Sequence, residues 1–295
     1  MATHYKSPSV LPPATSDLKK EPAPKGLIPM ACKVLSPTEN ERRAKEIPHE
    51  ANIHKSLDHP GILPVRGAFW GDKSNEWYFM MLDRCPVTLD EVVSGKIVVN
   101  FLLDKHKITK QLVEVLDFLH SDKHIVHRDI KLANIMLTQK GDVQLTDFGY
   151  ACRIDDLERI SKRKGTPNYM PPEMVREFHQ KDGHHHGNPQ DGNNCHHGNP
   201  QDGNNCHHHS KMQYDVWALG ITLYSMWTER KPPFERKNMA TTLQAILGEQ
   251  LSWPEDADAP PLWVKTVIMQ CLSKNPSNRP SSRDLVRIVA QFSGE

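Results

Sequence analysis

Two polar clusters at a fixed separation constrain this chain more than anything else in it. His127-Arg128-Asp129-Ile130-Lys131-Leu132-Ala133-Asn134 sets an acid and an amide five residues apart, and Asp147-Phe148-Gly149 follows thirteen residues after Asn134. The runs that carry them, IVHRDI, NIMLT and VQLTDFG, read as short strands and loops. Asp-Phe-Gly alone is a common tripeptide. Behind HRDIKLAN at this distance it is no accident of composition. Carboxylates and amides are hard oxygen ligands and proton acceptors, so the fold has to bring Asp129, Asn134 and Asp147 together for chemistry.

The organisation around these clusters is uneven. Residues 1–25 are rich in Pro, Lys and Ser without alternation and read as a disordered tail. LIPMACKVL is a short apolar run that reads as a strand. The charged stretch PTENERRAKEIPHEANIHKSL reads as a helix interrupted by Pro48. ILPVRGAFW and EWYFMMLD flank the turn GDKSN as a hairpin, so the first third is a small sheet carrying one helix. Beyond residue 86 helices dominate. ITKQLVEVLDFLH puts Ile108, Leu112, Leu116 and Leu119 on one face, and DVWALGITLYSMW is apolar nearly all round, as a buried central helix would be. One segment is foreign to the pattern: GNPQDGNNCHH occurs at 187–197 and again at 198–208. It carries no apolar residue and reads as a low-complexity insertion in a surface loop at 183–209. Its Cys–His–His units do not have common zinc-site spacings, which favours a solvated repeat over a metal site.

The remaining chain statistics exclude several classes. A net charge of +1 argues against a nucleic-acid binder. No apolar leader or spanning segment is visible, which points to a soluble chain with no membrane partner. The six cysteines form no disulfide framework, as expected of an intracellular protein in the cytoplasm or nucleus. Nothing in the sequence sets an oligomeric state.

In order along the chain, the motifs resemble those of the eukaryotic protein kinase superfamily from about residue 26 to 292. Met30-Ala31-Cys32-Lys33-Val34 resembles its V-A-I-K strand, Glu50 in HEANIHKSLDHPGI resembles its helix glutamate, and Leu82-Asp83-Arg84-Cys85 its hinge. Gly165-Thr166-Pro167-Asn168-Tyr169-Met170-Pro171-Pro172-Glu173 resembles G-T-x-x-Y-x-A-P-E, with Pro171 in place of alanine. Asp215-Val216-Trp217-Ala218-Leu219-Gly220 resembles the start of the central helix, whose aspartate anchors the catalytic loop, and Arg279 matches the arginine that pairs with Glu173.

The resemblance implies an α+β, bilobal fold: an N-lobe over 26–85, small and β-rich, and a larger helical C-lobe over 86–292. It implies ATP and Mg²⁺ as cofactors and protein substrates as partners. Asp129 would orient the acceptor hydroxyl and take its proton, with Lys131 and Thr166 positioning that acceptor. Asn134 and Asp147 would hold Mg²⁺, and Lys33, braced by Glu50, would neutralise the phosphates. Adenine would meet the backbone near Asp83 and Cys85, over a floor at Met136. Lys131 with Thr166 implies a serine or threonine acceptor, and Ala133 argues against assuming a basic consensus. PPEM and KPPFE resemble Aurora-like kinases and GTPNY resembles polo-like ones. Arg128, ahead of the catalytic aspartate, raises Ser161 as a phosphorylation site.

One part of the family pattern is missing. No glycine precedes Gly26, and only seven residues separate it from Lys33, too few for the two strands and turn of a phosphate-covering glycine loop. Either the N-lobe lacks its roof or the chain is a truncated gene product. Two functions follow: an active serine/threonine kinase, or a pseudokinase or scaffold with weak or no ATP turnover.

Overall fold

The computed structural model describes residues 30–38, 47–71, 76–156, 166–182, 203–254 and 259–292, without side chains at 178–182 and 203–210. The expected tail at 1–25, Gly26, Ser161 and most of the repeat lie outside the described residues. So does the helix expected ahead of Pro48, over 39–46. Pro48 is instead the N-cap of a helix, α1 (His49–Lys55), as its fixed φ and missing N–H allow.

The N-terminal part is a three-stranded antiparallel sheet in the order β1 (Met30–Leu35), β3 (Tyr78–Asp83), β2 (Val65–Trp70). β3 shows why it forms. Tyr78, Met80 and Leu82 point into the protein while Phe79, Met81 and Asp83 point out. With Leu35, Ala51 and Leu63 they make a small apolar core under α1. Register runs unbroken from Met30↔Asp83 to Leu35↔Tyr78, whereas β2 carries a bulge between Val65 and Gly67.

The C-terminal part is mainly helical. After β4 (Val87–Thr88) and α2 (Leu89–Val93), α3 runs over Lys105–Asp117 and widens into a π-turn at Phe118–Asp122. Asp104 caps α3 through the Lys107 N–H, and Ile108, Leu112, Leu116 and Leu119 are all buried, as their spacing predicts. Two further helices precede the last third of the chain, α4 (Pro172–Asp182) and α5 (Gly203–Thr228). From Val216 to Trp227 α5 is buried on every face. Its N-terminal end corrects the loop reading of the repeat: residues 203–208, inside the second copy, are helical. Adding turns to a helix already fixed by packing needs no new nucleus, so a polar sequence can be drawn into it. The chain finishes with α6 (Met239–Gly248), α7 (Leu262–Cys271) and α8 (Ser282–Ala290).

One short segment fastens the sheet to the helical body. Leu145 N–H donates to Gly61 O at 2.8 Å and Leu63 N–H to Leu145 O at 3.0 Å. A Cβ on Gly61 would lie 2.2 Å from Val115 Cγ2 on α3, so only glycine permits this approach. His54 completes the junction. It is 1% exposed, its Nε2–H donates to Leu63 O at 2.8 Å, and its ring lies 4.5 Å from that of Phe148. Burial, outweighing the carbonyl bond, pushes the His54 pKa down to about 4.

That depressed pKa sets a pH dependence. Between about pH 6.5 and 4 the unfolded chain takes up a proton at His54 that the folded chain refuses, so stability is present above pH 6.5 and is lost as pH falls through the folded value. Up to about 3 kcal/mol is at stake. Urea unfolding of wild type should weaken steeply from pH 6.5 to 4.5. His54→Leu should cost about 1 kcal/mol at pH 7, from the lost bond to Leu63, and flatten that slope. An unchanged slope would show that His54 titrates normally in the fold.

Candidate active site

The site is built where a hairpin brings its two motifs side by side. β6 (Ile135–Leu137) and β7 (Val143–Leu145) pair from Ile135↔Leu145, so Asn134, just before β6, adjoins Thr146 and Asp147, just after β7. Thr146 N–H donates to Asn134 O at 3.0 Å. Ahead of this hairpin, β5 (Ile125–Val126) delivers the loop His127–Lys131 and a 3₁₀ turn, Leu132–Asn134.

A buried carboxylate holds that loop. Asp215 of α5 is fully buried and accepts three hydrogen bonds: His127 N–H to Oδ2 at 2.7 Å, Arg128 N–H to Oδ1 at 2.7 Å and His120 Nε2–H to Oδ2 at 3.0 Å. Burial alone would raise its pKa. The His120 bond and charge, with His127, more than offset that, and Asp215 sits below the usual carboxylate range. The loop it grips is strained, since Arg128 has φ 69° and Asp147 φ 64°. Left-handed backbone at a non-glycine residue has to be held by its surroundings and tends to cluster at functional sites. His127 is fixed by the same network: its Nδ1 accepts the Asp129 N–H at 3.2 Å and its Nε2 faces Thr146 O at 3.2 Å. Burial lowers its pKa, which keeps the ring neutral as that pair of bonds requires.

Asp129 is 4% exposed, and both its oxygens are engaged. Oδ1 accepts the Thr166 hydroxyl at 2.8 Å, and Oδ2 accepts Lys131 Nζ at 2.7 Å and Asn134 Nδ2 at 2.9 Å. Lys131 also donates to Thr166 Oγ1 at 2.8 Å. The four residues expected to act on the acceptor therefore form one closed network. Across from it, Lys33 Nζ bonds Glu50 Oε1 and lies 2.8 Å from Asp147 Oδ1. Burial would lower the Lys33 pKa, but the two carboxylates raise it above the ordinary value. Asp147 is held below its own, because Lys33 outweighs the burial penalty.

The oxygen inventory suits a divalent cation. Asn134 spends its amide nitrogen on Asp129 O and Oδ2, leaving Oδ1 as an acceptor. Asp147 uses Oδ1 on Lys33 and the Gly149 N–H, leaving Oδ2. Two protein oxygens with the remaining positions filled by phosphate and water is how Mg²⁺ is usually held.

The other expected residues line up beside this centre. β4 pairs with β6, Thr88 facing Met136, so Met136 lies under the connection that runs from β3 through Asp83 and Cys85. The Asp83 carboxylate is committed to a two-pronged bond with Arg66, at 2.7 and 2.6 Å, which leaves only its backbone to meet a ligand. Cys85 donates its thiol to Gln144 Oε1 at 2.8 Å, and burial pushes its pKa up to about 11, so it is an inert strut. Arg66, Gln144, His120 and His54 all support the site, and no sequence motif marked them. Farther out, Arg279 grips Glu173 with bonds of 2.7 and 2.8 Å and also donates to Gln213 O and Ser273 O, the pairing expected from sequence.

A loop, a metal-competent acid–amide pair and a braced lysine in this arrangement define a phosphoryl-transfer centre of the kinase kind. The chain matches the protein kinase domain over residues 25–191 and 205–289, and it belongs to that family. The break in the match, 192–204, falls inside the repeat. Among its relatives are the probable cell cycle serine/threonine-protein kinase CDC5 homolog of Encephalitozoon cuniculi (30% identical over 242 residues) and the serine/threonine-protein kinase PLK2 of Mus musculus (30% over 257). A third is serine/threonine-protein kinase 10 of Homo sapiens, 29% identical over 263 residues. The alignments cover 80%, 86% and 87% of this chain but only 43%, 31% and 24% of those proteins, so the chain spans less than half of each. The likeness to PLK2 agrees with the polo-like GTPNY segment. Among the described residues no helix is long and apolar enough to cross a membrane.

Asp215→Asn tests the anchor. An amide offers one acceptor oxygen where two are used, so one of the buried N–H groups of His127 and Arg128 loses its partner. A loss of roughly 1–3 kcal/mol in urea unfolding is expected. Stability equal to wild type would mean the loop is held by something else.

Proposed function

We propose that the chain is a protein serine/threonine kinase that transfers the γ-phosphoryl group of ATP to serine or threonine hydroxyls of protein substrates. The observation that carries this reading is the pair of facing clusters: Lys33–Glu50–Asp147 on the phosphate side, and Asp129–Lys131–Thr166–Asn134 on the acceptor side. Asn134 Oδ1 and Asp147 Oδ2 would hold Mg²⁺, which supplies charge neutralisation at the phosphates. Lys33 binds the α- and β-phosphates, and Glu50 keeps its ammonium in place. Asp129 orients the acceptor hydroxyl and takes its proton. Lys131, bonded to both Asp129 and Thr166, keeps that carboxylate ionised and aimed.

The finer architecture we infer is bilobal, with adenine meeting the Asp83–Cys85 backbone above Met136 and with no glycine loop over the phosphates in this 295-residue chain. That last feature supports a second reading, a pseudokinase or scaffold with slow turnover. Catalytic charges that are all present and mutually bonded favour the first.

Asp129→Asn should lower phosphate transfer from labelled ATP to casein by about 10²–10⁴-fold with little change in thermal unfolding, and the residual label should fall on phosphoserine and phosphothreonine. Transfer equal to wild type would sink the assignment. Nucleotide selectivity is a separate measure. Without glycine-loop amides a triphosphate forgoes two or three charge-assisted bonds, a net loss of about 2–4 kcal/mol once water resolvates the phosphates. Titration calorimetry should give Mg-ATP and adenosine affinities within about tenfold of each other. Strongly ATP-selective binding would show that residues 1–29 cover the phosphates.

A further inference from the structure

The two edges of the N-terminal sheet are protected very differently. Sheet edges expose unpaired N–H and C=O groups, and proteins usually guard them with bulges, exposed charges or proline. The β2 edge has such guards: a bulge between Val65 and Gly67 and the exposed Arg66. β1 has none. Its six residues, Met30–Leu35, contain no proline and pair with β3 without a bulge. Its one charge, Lys33, is drawn inward to Glu50 and Asp147. Among the described residues its outer edge is paired with nothing. Met30, Cys32 and Val34 share its outward face, and all three are exposed, at 42% for Met30 and 44% for Val34.

A strand that fits this edge must be extended, short of proline and apolar on alternate residues. The chain's own residues 1–29 are a poor candidate, with prolines at 8, 12, 13, 22, 24 and 29, none of which can donate to a ladder. β1 itself meets every requirement. In an antiparallel two-fold pairing centred on Cys32, Met30 lies opposite Val34, Ala31 opposite Lys33 and Cys32 opposite Cys32. Each residue then keeps its own face of the sheet. Centring the pairing between two residues would set Met30 opposite the buried Leu35 and mix the faces. A two-fold axis through residue 32 is also the self-complementary arrangement that a closed dimer needs.

We propose that β1 is a homodimer interface: two copies pair antiparallel through Met30–Val34, joining their three-stranded sheets into one across a two-fold axis at Cys32. The second copy's Ala31 then lies opposite Lys33, so the partner strand runs along the side of the phosphate site that the described residues leave uncovered. The contact is small, which places the dissociation constant on the order of micromolar or weaker. The inference does not depend on the chain being a kinase.

Sedimentation velocity of the full chain, from about 1 to 200 µM with reducing agent present, should show monomer giving way to dimer. Cys32→Glu, which sets two carboxylates face to face at an exposed position, and Val34→Lys should each shift the midpoint at least tenfold while leaving thermal unfolding unchanged. In a parallel sample diamide oxidation should yield a Cys32–Cys32 linked peptide by mass spectrometry. Opposed Cα atoms in an antiparallel ladder lie about 4.5–5.5 Å apart, within disulfide reach. A chain that stays monomeric throughout, a dimer indifferent to both substitutions, or cross-links confined to Cys195 and Cys206 would each overturn the proposal. So would a dimer that forms only after residues 1–25 are removed, which would assign the edge to the chain's own N-terminal segment.

Discussion

Asp215 is the group on which the catalytic loop depends. A carboxylate with no exposed surface is costly unless its lone pairs are filled, and here three N–H donors fill them. Two of those donors are consecutive backbone amides of the loop. Gripping both fixes the peptide planes on either side of His127 and holds Arg128 in a left-handed conformation that it would otherwise leave. Asp129 follows directly, so its carboxylate is aimed by the backbone before any side chain touches it. Asp215 comes from the buried stretch of α5, which packs on α7 and α3, and the most rigid part of the fold is thereby tied to its most strained residue.

The second cluster has a different mechanical basis. Lys33 belongs to the sheet, Glu50 to α1 and Asp147 to the end of β7 in the helical body. Their alignment relies on the junction made by Gly61, Leu63, His54 and Phe148, in which backbone bonds and ring contacts take the place of a covalent brace. With one ammonium against two carboxylates the cluster carries a net charge of −1, a potential that favours a cationic ligand beside Asp147.

How much of this the sequence disclosed depends on the range of each interaction. Asp129, Asn134 and Asp147 stood out because their spacing is local and the hairpin that unites them is short. The alternation of β3 and the helical spacing of α3 were readable because burial on one face imposes them. His120 was silent, since its partner Asp215 lies 95 residues away. Asp83 was read as a backbone contact for adenine, and nothing in the sequence marked its side chain for Arg66. Gly61 stood inside a motif, HPGI, but the reason for glycine is Val115 on a helix far along the chain. The left-handed residues Arg128 and Asp147 carry no local signal, because it is tertiary contacts that hold them. The repeat hid the true start of α5, since its polar composition has no periodicity to read.

The separation of the two clusters has a functional consequence. The acceptor network of Asp129, Lys131, Thr166 and Asn134 lies wholly within the C-terminal part of the chain, whereas the phosphate cluster spans both parts. A displacement of the sheet relative to the helical body would part Lys33 and Glu50 from Asp147 and leave the acceptor network intact. The link between the clusters is the short path from Asn134 to Thr146 and Asp147 at the head of the β6–β7 hairpin, whose strands are buried and paired. Asp147 is thus fixed to the acceptor side by covalent and ladder constraints and to the sheet only through Lys33. Perturbing the sheet, by ligand, partner or mutation, should act first on nucleotide affinity and only secondarily on the geometry of the hydroxyl that attacks. In this fold, regulation entering through the N-terminal part is regulation of phosphate binding.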